Sequence, residues 1–326
     1  MASSATTVVS ADGPILEQIL DATFTIWHEG LTREAYGRWW TAQLRTVWGG
    51  TNVRRFALVD RDGVCASAKE YRLSAVLDGR VTAVLGIGAV FTQPLHRGRG
   101  YASDLVERLV ASAAREGTGV ALLFSEIGAD YYRRLGFQPI PTSESIVQVA
   151  APPIRGAPAT HVRAGDDRDL AAIAATGRMR AAPFRFHLDR DPDLIQYAIA
   201  KKRLLAGLGP PGAREVHFYV AEEGSSAVAY VVLSVRGSDW VLEEVGDRDP
   251  SGARVGAILQ TLIARQPSEA HPTIRGRLPA GFVPPQISIK ETRPTADVMM
   301  IRPLAGKGVS PPLAEGDVLY WQSDVF

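Results

Sequence analysis

The sequence predicts an α/β protein, α+β in the narrower sense, with two domains that follow one another along the chain. Three observations lead to this prediction. Helical and extended patterns alternate, one order of elements occurs twice, and 326 residues are enough for two domains of ordinary size. Because 46% of the residues are apolar, each domain can bury a core.

The first half begins with two helical patterns and continues with a meander. Apolar residues recur at helical spacing over residues 15–27 and 32–44, and Thr32 stands where an N-cap is expected. The extended runs that follow are joined by hairpin-turn signals and comprise residues 54–60, 64–77 and 80–92. We therefore expect two helices followed by antiparallel strands.

A strand, glycine-rich turn, helix and strand come next. Residues from Ala102 to Ala113 repeat apolar positions three and four apart, and residues 119–124 form an apolar run suited to a buried strand. A short helix ends at Gly136, and residues 137–149 are predicted to be mostly extended. These elements complete the first predicted domain.

A segment rich in proline, glycine and alanine separates the two patterned halves. We predict a first domain over residues 1–150, a linker over 151–160 and a second domain over 161–326. The second half repeats two helices, three strands and a helix, at 167–175, 192–205, 215–221, 227–235, 240–245 and 255–264. Residues 266–326 are rich in proline, and we expect irregular structure with a few strands.

Composition limits the classes of function. Lysine plus arginine number 36 against 35 acidic residues, so no nucleic-acid partner is expected. Cys65 is the single cysteine, the start lacks a secretory signal, and no long apolar segment is present, which predicts a cytoplasmic protein without membrane contact. The six histidines lack ligand spacing, so no metal is expected.

The segment RGRGYA, residues 97–102, lies where a strand pattern ends and a helical pattern begins. Backbone N–H groups of such a turn converge on an anion, and the helix N-terminus adds a positive potential. Gly98 and Gly100 let the backbone approach a diphosphate and adopt positive φ. The alternative is a plain glycine turn that enters a helix.

This segment resembles motif A of the GNAT acetyltransferases, [QR]xxGx[GA], with Arg97, Gly100 and Ala102 in the fixed places. Tyr131 to Phe137, YYRRLGF, is similar to the later FYxKLGF signature of that superfamily. The resemblance implies a GNAT fold with a central mixed, mostly antiparallel sheet and acetyl-CoA as co-substrate. The cofactor-binding residues that it implies are Val90, Phe91, Thr92, Arg97, Gly98, Arg99, Gly100, Tyr101, Ala102, Ser125 and Tyr131.

Two narrower resemblances concern the acceptor and the end of the chain. FTQPLHRGRGYAS and LLFSEIGADYYRRLGF are similar to segments of the fungal lysine acetyltransferase-like group, which acetylates the amine of free lysine. More distantly, the chain resembles the tandem-GNAT Eis enzymes, which use the terminal carboxylate as a base. The aromatic end of this chain suggests the same use of the Phe326 carboxylate, or of Asp324, with a tail packed on its own domain as the alternative.

The resemblance also implies how protons move in the reaction. An amine must lose a proton before it attacks the thioester, and the departing thiolate benefits from a proton donor. Tyr132 matches the tyrosine acid of the family. Glu126 is a candidate general base, with a solvated loop charge as the alternative, and Tyr131 has core or adenine packing as its alternatives.

Other residues are candidates for the acceptor pocket. The two opening helices offer Trp27, His28, Trp39 and Trp40, and the second half offers Trp240, Glu243 and Glu244; core packing is the alternative for most of them. The segment 247–254 has two aspartates and a single glycine, so we expect no CoA there and interpret the second domain as a degenerate GNAT-like module that closes the pocket.

These observations predict an acetyl-CoA-dependent N-acetyltransferase, an acyltransferase that acts in a ternary complex. The expected acceptor is a primary amine of a small molecule, with lysine or another amino acid as one option. A protein lysine acetyltransferase and a non-catalytic acyl-CoA sensor are the alternatives. A homodimer is an open option for the oligomeric state.

Overall fold

The computed structural model describes residues 5–150, 160–266, 272–304 and 312–326. The α-helices are α1 (Gly13–Trp27), α2 (Arg33–Leu44), α3 (Val47–Asn52), α4 (Tyr101–Arg115), α5 (Asp130–Arg133), α6 (Leu170–Ala181), α7 (Pro192–Leu208) and α8 (Ala253–Ile263). The strands are β1 (Thr7–Ser10), β2 (Val53–Asp60), β3 (Gly63–Leu77), β4 (Arg80–Thr92), β5 (Val120–Ser125), β6 (Gln138–Ile140), β7 (Ser143–Val149), β8 (His161–Ala164), β9 (Phe186–Leu188), β10 (Glu215–Glu223), β11 (Ser226–Arg236), β12 (Asp239–Asp247), β13 (Thr273–Gly276), β14 (Ile287–Pro294), β15 (Val298–Pro303) and β16 (Val318–Leu319).

The described residues group into two compact units. The first takes its residues from Met1–Pro141, Ala296–Ala314 and Phe326, and the second from Thr142–Thr295 and Glu315–Val325. Each unit thus combines segments from both sides of residues 151–160. Residues 151–159 of the predicted linker lie outside the described residues, and the predicted linear division stays a prediction.

The sheet of the first unit has the strand order β1-β2-β3-β4-β5-β15-β6. Its neighbours are antiparallel except for β4 and β5, which run parallel across the helix α4 that connects them. The apolar face of α4, with Leu105, Val106 and Leu109, packs into the core of this sheet. At the start of α2, the Thr32 hydroxyl accepts a hydrogen bond from the amide of Ala35 at 3.2 Å, which confirms the predicted N-cap.

Strands β4 and β5 separate toward their C-terminal ends. Their register runs from Val84 opposite Val120 to Ile87 opposite Leu123 and then stops. In β4 the register with β3 shifts at this point, and Ala89 adopts a φ of 47°. Such a bulge at a left-handed alanine is strained and re-aims the backbone, as happens next to functional sites. The separation creates an opening in the middle of the sheet.

The first unit contains a strand from the region that we expected to be mostly irregular. Strand β15 lies between β5 and β6 and is antiparallel to both. Met299, Met300 and Ile301 on this strand are almost completely buried. The predicted extended run 137–149 is two strands, since β6 belongs to the sheet of the first unit and β7 to that of the second.

The second unit repeats the topology with a sheet of order β14-β7-β13-β12-β11-β10-β8. Strands β10, β11 and β12 form an antiparallel meander, and β12 runs parallel to β13 across α8. Helices α6 and α7 come before the meander, as α1 and α2 do in the first unit. The predicted recurrence of elements is therefore present. No helix in the described parts of the chain is both long and apolar enough to cross a bilayer.

Candidate active site

The predicted phosphate loop is an open helix start. Gly98 has a φ of 75°, and Gly100, the N-cap of α4, has a φ of 82°. A Cβ atom at either glycine would meet no other atom within 4 Å, so the backbone is accessible to a ligand. The first amides of a helix lack intrahelical acceptors. Asp104, the acidic residue of the first turn, is paired with Arg108 at 2.8 Å. The loop can therefore receive an anionic group.

A cavity of about 240 Å³ lies in the first unit. Its walls are formed by Trp27, Glu29, Tyr36, Trp39, Arg55, Lys69, Ile87, Gly88, Ala89, Val90, Phe124, Ser125, Glu126, Ile127, Tyr132 and Phe326. These residues come from α1 and the turn after it, α2, strands β2, β3 and β4, the end of β5 and the turn after it, α5 and the C-terminal residue. The cavity therefore lies at the opening between β4 and β5. All three predicted catalytic residues contribute to its walls.

Tyr132 lies on α5 with 7% of its surface exposed. Its ring packs edge-on against Tyr131 at 4.9 Å and Phe137 at 6.0 Å between centroids. Burial raises the pKa of the Tyr132 phenol, and the nearby Tyr131 and Glu126 raise it further. The phenol is therefore protonated at neutral pH, as a proton donor must be.

Glu126 follows directly after β5 at the cavity wall. Partial burial raises the pKa of this carboxyl, with further contributions from Asp297 and Glu29. A raised pKa increases the affinity of the carboxylate for a proton, which suits a general base. The two carboxylates Glu29 and Glu126 also give this side of the cavity a negative charge.

The last residue of the chain lies inside this cavity. The Phe326 ring packs on Tyr71 at 4.4 Å and edge-on against Phe124 at 5.4 Å between centroids. A Cβ atom at Gly88 would be 2.8 Å from the carbonyl oxygen of Phe326. Only glycine at this position leaves room for the terminal carboxyl. Asp324 does not line the cavity; it is buried in the second unit and pairs with Arg190 at 3.1 Å.

Two predicted cofactor residues make local hydrogen bonds near the opening. The Ser125 hydroxyl donates to the carbonyl of Gly128 at 2.6 Å and closes the turn after β5. The hydroxyls of Tyr131 and Ser103, the latter on the first turn of α4, are 2.9 Å apart. Tyr131 therefore lies beside the candidate phosphate loop, while its neighbour Tyr132 faces the cavity.

The aromatic residues of the opening helices differ in their positions. Trp27 and Trp39 line the cavity, whereas the His28 ring accepts a hydrogen bond from the amide of Gly30 at 3.0 Å. The Trp40 ring is buried beneath two cations of the protein, Lys69 at 4.8 Å and Arg55 at 5.3 Å from its centroid. Trp40 is therefore a core residue whose ring contacts cations of the protein itself, which was the alternative to its predicted contact with a substrate amine.

Sequence reasoning missed Arg55 and Lys69. A signal for Arg55 is present in β2, where Val53, Arg55 and Ala57 alternate with outward residues and are all buried. A charge at an inward position of a strand is unusual and points to a special environment.

The corresponding loop of the second unit is occupied by its own carboxylate. Gly252, with a φ of 72°, is the N-cap of α8. The Asp247 carboxylate accepts hydrogen bonds from the amides of Asp249 and Arg254, both at 2.9 Å. The Phe282 ring also closes on Gly252. An aspartate thus takes the place that a phosphate would need, which supports the expectation that this loop binds no CoA.

The other predicted lining residues of the second half are core residues. Trp240 is 2% exposed, and Glu243 and Glu244 are each 1% exposed. Glu243 pairs with Lys202 at 3.0 Å, and Glu244 pairs with Arg190 at 2.6 Å. Each carboxylate is therefore held in an ion pair within the second unit, and the Oε2 atom of Glu243 has no hydrogen-bond partner among the described residues. Within the described residues, no group of three or more histidine, cysteine, aspartate or glutamate side chains is placed to hold a metal ion.

Residues 17–140 match the family model described as the acetyltransferase (GNAT) domain. The matched residues lie in the first unit and include the phosphate loop, Glu126 and Tyr132. No curated protein sequence matches the chain significantly.

Solved structures with this fold span both units. A GCN5-related N-acetyltransferase from Anabaena variabilis has a TM-score of 0.68 at 12% identity, over 92% of this chain and 73% of that one. Eis1 from Mycobacterium abscessus has a TM-score of 0.57 at 17% identity, over 92% of this chain and 74% of that one. Saccharomyces cerevisiae N-myristoyltransferase with bound myristoyl-CoA has a TM-score of 0.55 at 10% identity, over 92% of this chain and 83% of that one. The predicted fold class, a GNAT fold followed by a second GNAT-like unit, is thus confirmed.

Proposed function

We propose that this protein is an N-acetyltransferase that transfers the acetyl group of acetyl-CoA to a primary amine of a small molecule. One observation carries the proposal: a buried, protonated phenol and the carboxyl groups of Glu126 and Phe326 lie in the walls of one cavity at the opening between β4 and β5. The match of residues 17–140 to the GNAT domain supports acyl-CoA as the donor class. Acetyl-CoA in particular is part of the proposal.

The cofactor would lie along the opening and end at the helix start. Its diphosphate would contact the backbone of residues 97–102, and its pantetheine arm would pair with the backbone of residues 90–92. The separation of β4 from β5 after Ile87 leaves that part of β4 without β5 as a ladder partner. This placement would bring the thioester toward Tyr132.

The reaction needs a proton acceptor for the amine and a proton donor for the departing thiolate. The amine nitrogen attacks the thioester carbonyl carbon, the C–S bond breaks, and the sulfur takes the proton of the Tyr132 phenol. The proton of the attacking amine passes to a carboxylate. Glu126 is the first candidate for this base because its pKa is raised, and the Phe326 carboxylate is the second because it lies in the same cavity.

Thiol release from acetyl-CoA tests this proposal. The acceptor panel contains lysine, ornithine, polyamines, aminoglycosides and a lysine-containing peptide, and mass spectrometry identifies the acetylated product. We expect turnover with one class of small amine. Turnover confined to the peptide would indicate a protein acceptor and not a small molecule. Tight binding of acetyl-CoA without turnover of any amine would indicate an acyl-CoA sensor.

A further inference from the structure

Arg55 is a buried cation in the wall of the candidate acceptor cavity. Its side chain comes from β2 and is 3% exposed. Among the described residues, none forms an ion pair with it, and its Nε and Nη2 atoms have no hydrogen-bond partner there. The groups around it are the Trp40 ring and the phenols of Tyr36 and Tyr71.

This environment is unfavourable for a charge. Burial lowers the pKa of the Arg55 guanidinium, and the electrostatic interactions with the phenols of Tyr36 and Tyr71, together with the hydrogen bond to Tyr36, offset this only in part. A buried ion without a counter-ion is expensive, and apolar side chains of similar volume are often equal or better for stability. The sequence therefore retains a charge at a position where folding alone does not require one.

The position of Arg55 in the sheet shows which side of the cavity is cationic. Arg55 is in register with Lys69 on β3, and Lys69 is in register with Gly88 on β4. The terminal carboxyl of Phe326 lies against Gly88, next to Lys69 and one strand farther from Arg55. The carboxylates Glu29 and Glu126 line the same cavity but do not pair with Arg55.

We propose that Arg55 binds a carboxylate of the acceptor, so that the acceptor class is an amino carboxylate rather than a simple amine or polyamine. This inference rests on the proposed function of the cavity. The two nitrogens without partners, Nε and Nη2, are adjacent donors on one edge of the guanidinium and match the two oxygens of a carboxylate. Both atoms are shielded from water, so binding a carboxylate would require the Arg55 side chain to turn toward the cavity that it lines.

The charges of the cavity suit such a zwitterion. Arg55 and Lys69 on β2 and β3 are matched to its carboxylate, while Glu126 and the Tyr132 phenol lie where its amine would react. A polyamine would instead place a second positive charge near the buried Arg55 and the partly buried Lys69, and that repulsion disfavours it.

The test compares amino acids with amines that lack only the carboxylate. The pairs are lysine with cadaverine, ornithine with putrescine, and phenylalanine with phenethylamine. We measure kcat/KM for each with the unmodified protein, with Arg55→Gln and with Arg54→Gln. Arg54 is a matched control because it is the exposed neighbour on the opposite face of β2.

We expect the unmodified protein to favour the carboxylate member of at least one pair by about 100-fold or more, since a site built for a polar group rejects the analogue without it. Arg55→Gln should abolish this preference, mainly through KM, and change kcat/KM of the decarboxylated amine by less than about threefold. Arg54→Gln should retain the preference. Equal losses on both members of a pair, or no preference in the unmodified protein, would overturn the inference.

Two further outcomes separate this inference from the proposed function. Turnover of aminoglycosides or peptides, without turnover of any amino acid of the pairs, would keep the enzyme and overturn the carboxylate site. If no amine is acetylated, the proposed function fails, and calorimetric binding of lysine and cadaverine decides the role of Arg55. Loss of lysine binding in Arg55→Gln would support the site, and absence of lysine binding to the unmodified protein would exclude it.

Discussion

Two residues of the candidate site have opposite roles in proton transfer. Burial raises the pKa of both Tyr132 and Glu126, with opposite chemical results. The phenol keeps its proton at every physiological pH, whereas the carboxylate gains affinity for a proton. One cavity therefore contains both a donor and an acceptor.

The pH dependence of Glu126→Gln tests the assignment of the base. Because the pKa of Glu126 is raised, the basic carboxylate form is lost as the pH falls through that raised value, and kcat of the unmodified protein should fall with it. We expect Glu126→Gln to lower kcat by about 10²-fold or more and to remove this acid limb. Steady-state kinetics from pH 5 to 9 measures both effects.

Glu29→Gln is the matched control, since Glu29 is the other glutamate of the cavity wall. It should retain the acid limb, moved to lower pH because the charge of Glu29 contributes to the raised pKa of Glu126. If kcat and the acid limb of the pH profile are unchanged in Glu126→Gln, Glu126 is not the base, and the Phe326 carboxylate becomes the candidate.

Secondary-structure elements differ in how well the sequence predicts them. Helix α4 and the meander were predicted because periodicity and turn residues are local signals. The insertion of β15 between β5 and β6 was not, because pairing over such a distance leaves no local pattern. The bulge at Ala89 was also missed, since alanine gives no indication of a positive φ.

The C-terminal segment also leads to a functional prediction. Sequence reasoning suggested that the Phe326 carboxylate serves the site, and the structure places its carbonyl group against Gly88 in the cavity. We expect deletion of Val325 and Phe326 to lower kcat by about 10²-fold or more if this carboxylate is the base. Steady-state kinetics and a thermal unfolding curve measure turnover and folding.

Phe326→Leu is the control for this deletion, because it keeps a terminal carboxylate and an apolar side chain at the same position. It should retain most of the activity. A shortened protein with the kinetics of the full chain would remove the terminus from the mechanism.

At the scale of the whole molecule, the two units share a topology but differ at the helix start. The loop at Gly100 is open, while the loop at Gly252 is closed by Asp247 and Phe282. The sequence predicted this difference from the two aspartates of residues 247–254. The ion pairs of Glu243 with Lys202 and of Glu244 with Arg190 could not be predicted, because the partners are distant in the sequence.

The first unit includes β15 from the second half of the chain, and this predicts how a fragment of the first half behaves. A fragment of residues 1–150 lacks β15 and leaves facing edges of β5 and β6 without a partner. It also loses the buried side chains of Met299, Met300 and Ile301. We expect this fragment to lack a cooperative thermal transition, as measured by near-ultraviolet circular dichroism.

A peptide of residues 296–304 provides the positive control for this fragment. It should bind to the fragment and restore part of its tertiary signal. Cooperative unfolding of the isolated fragment would show that β15 is dispensable for the first unit.

The measurement that tests the central claim most directly is the turnover of Tyr132→Phe with acetyl-CoA and the amine that the unmodified protein acetylates fastest. The variant removes one hydroxyl from a buried ring, so acetyl-CoA affinity, measured by calorimetry, should change little. We predict that kcat falls by about 10²-fold or more, because the departing thiolate loses its proton donor. An unchanged kcat with unchanged acetyl-CoA affinity would contradict Tyr132 as the acid and, with it, the proposed mechanism.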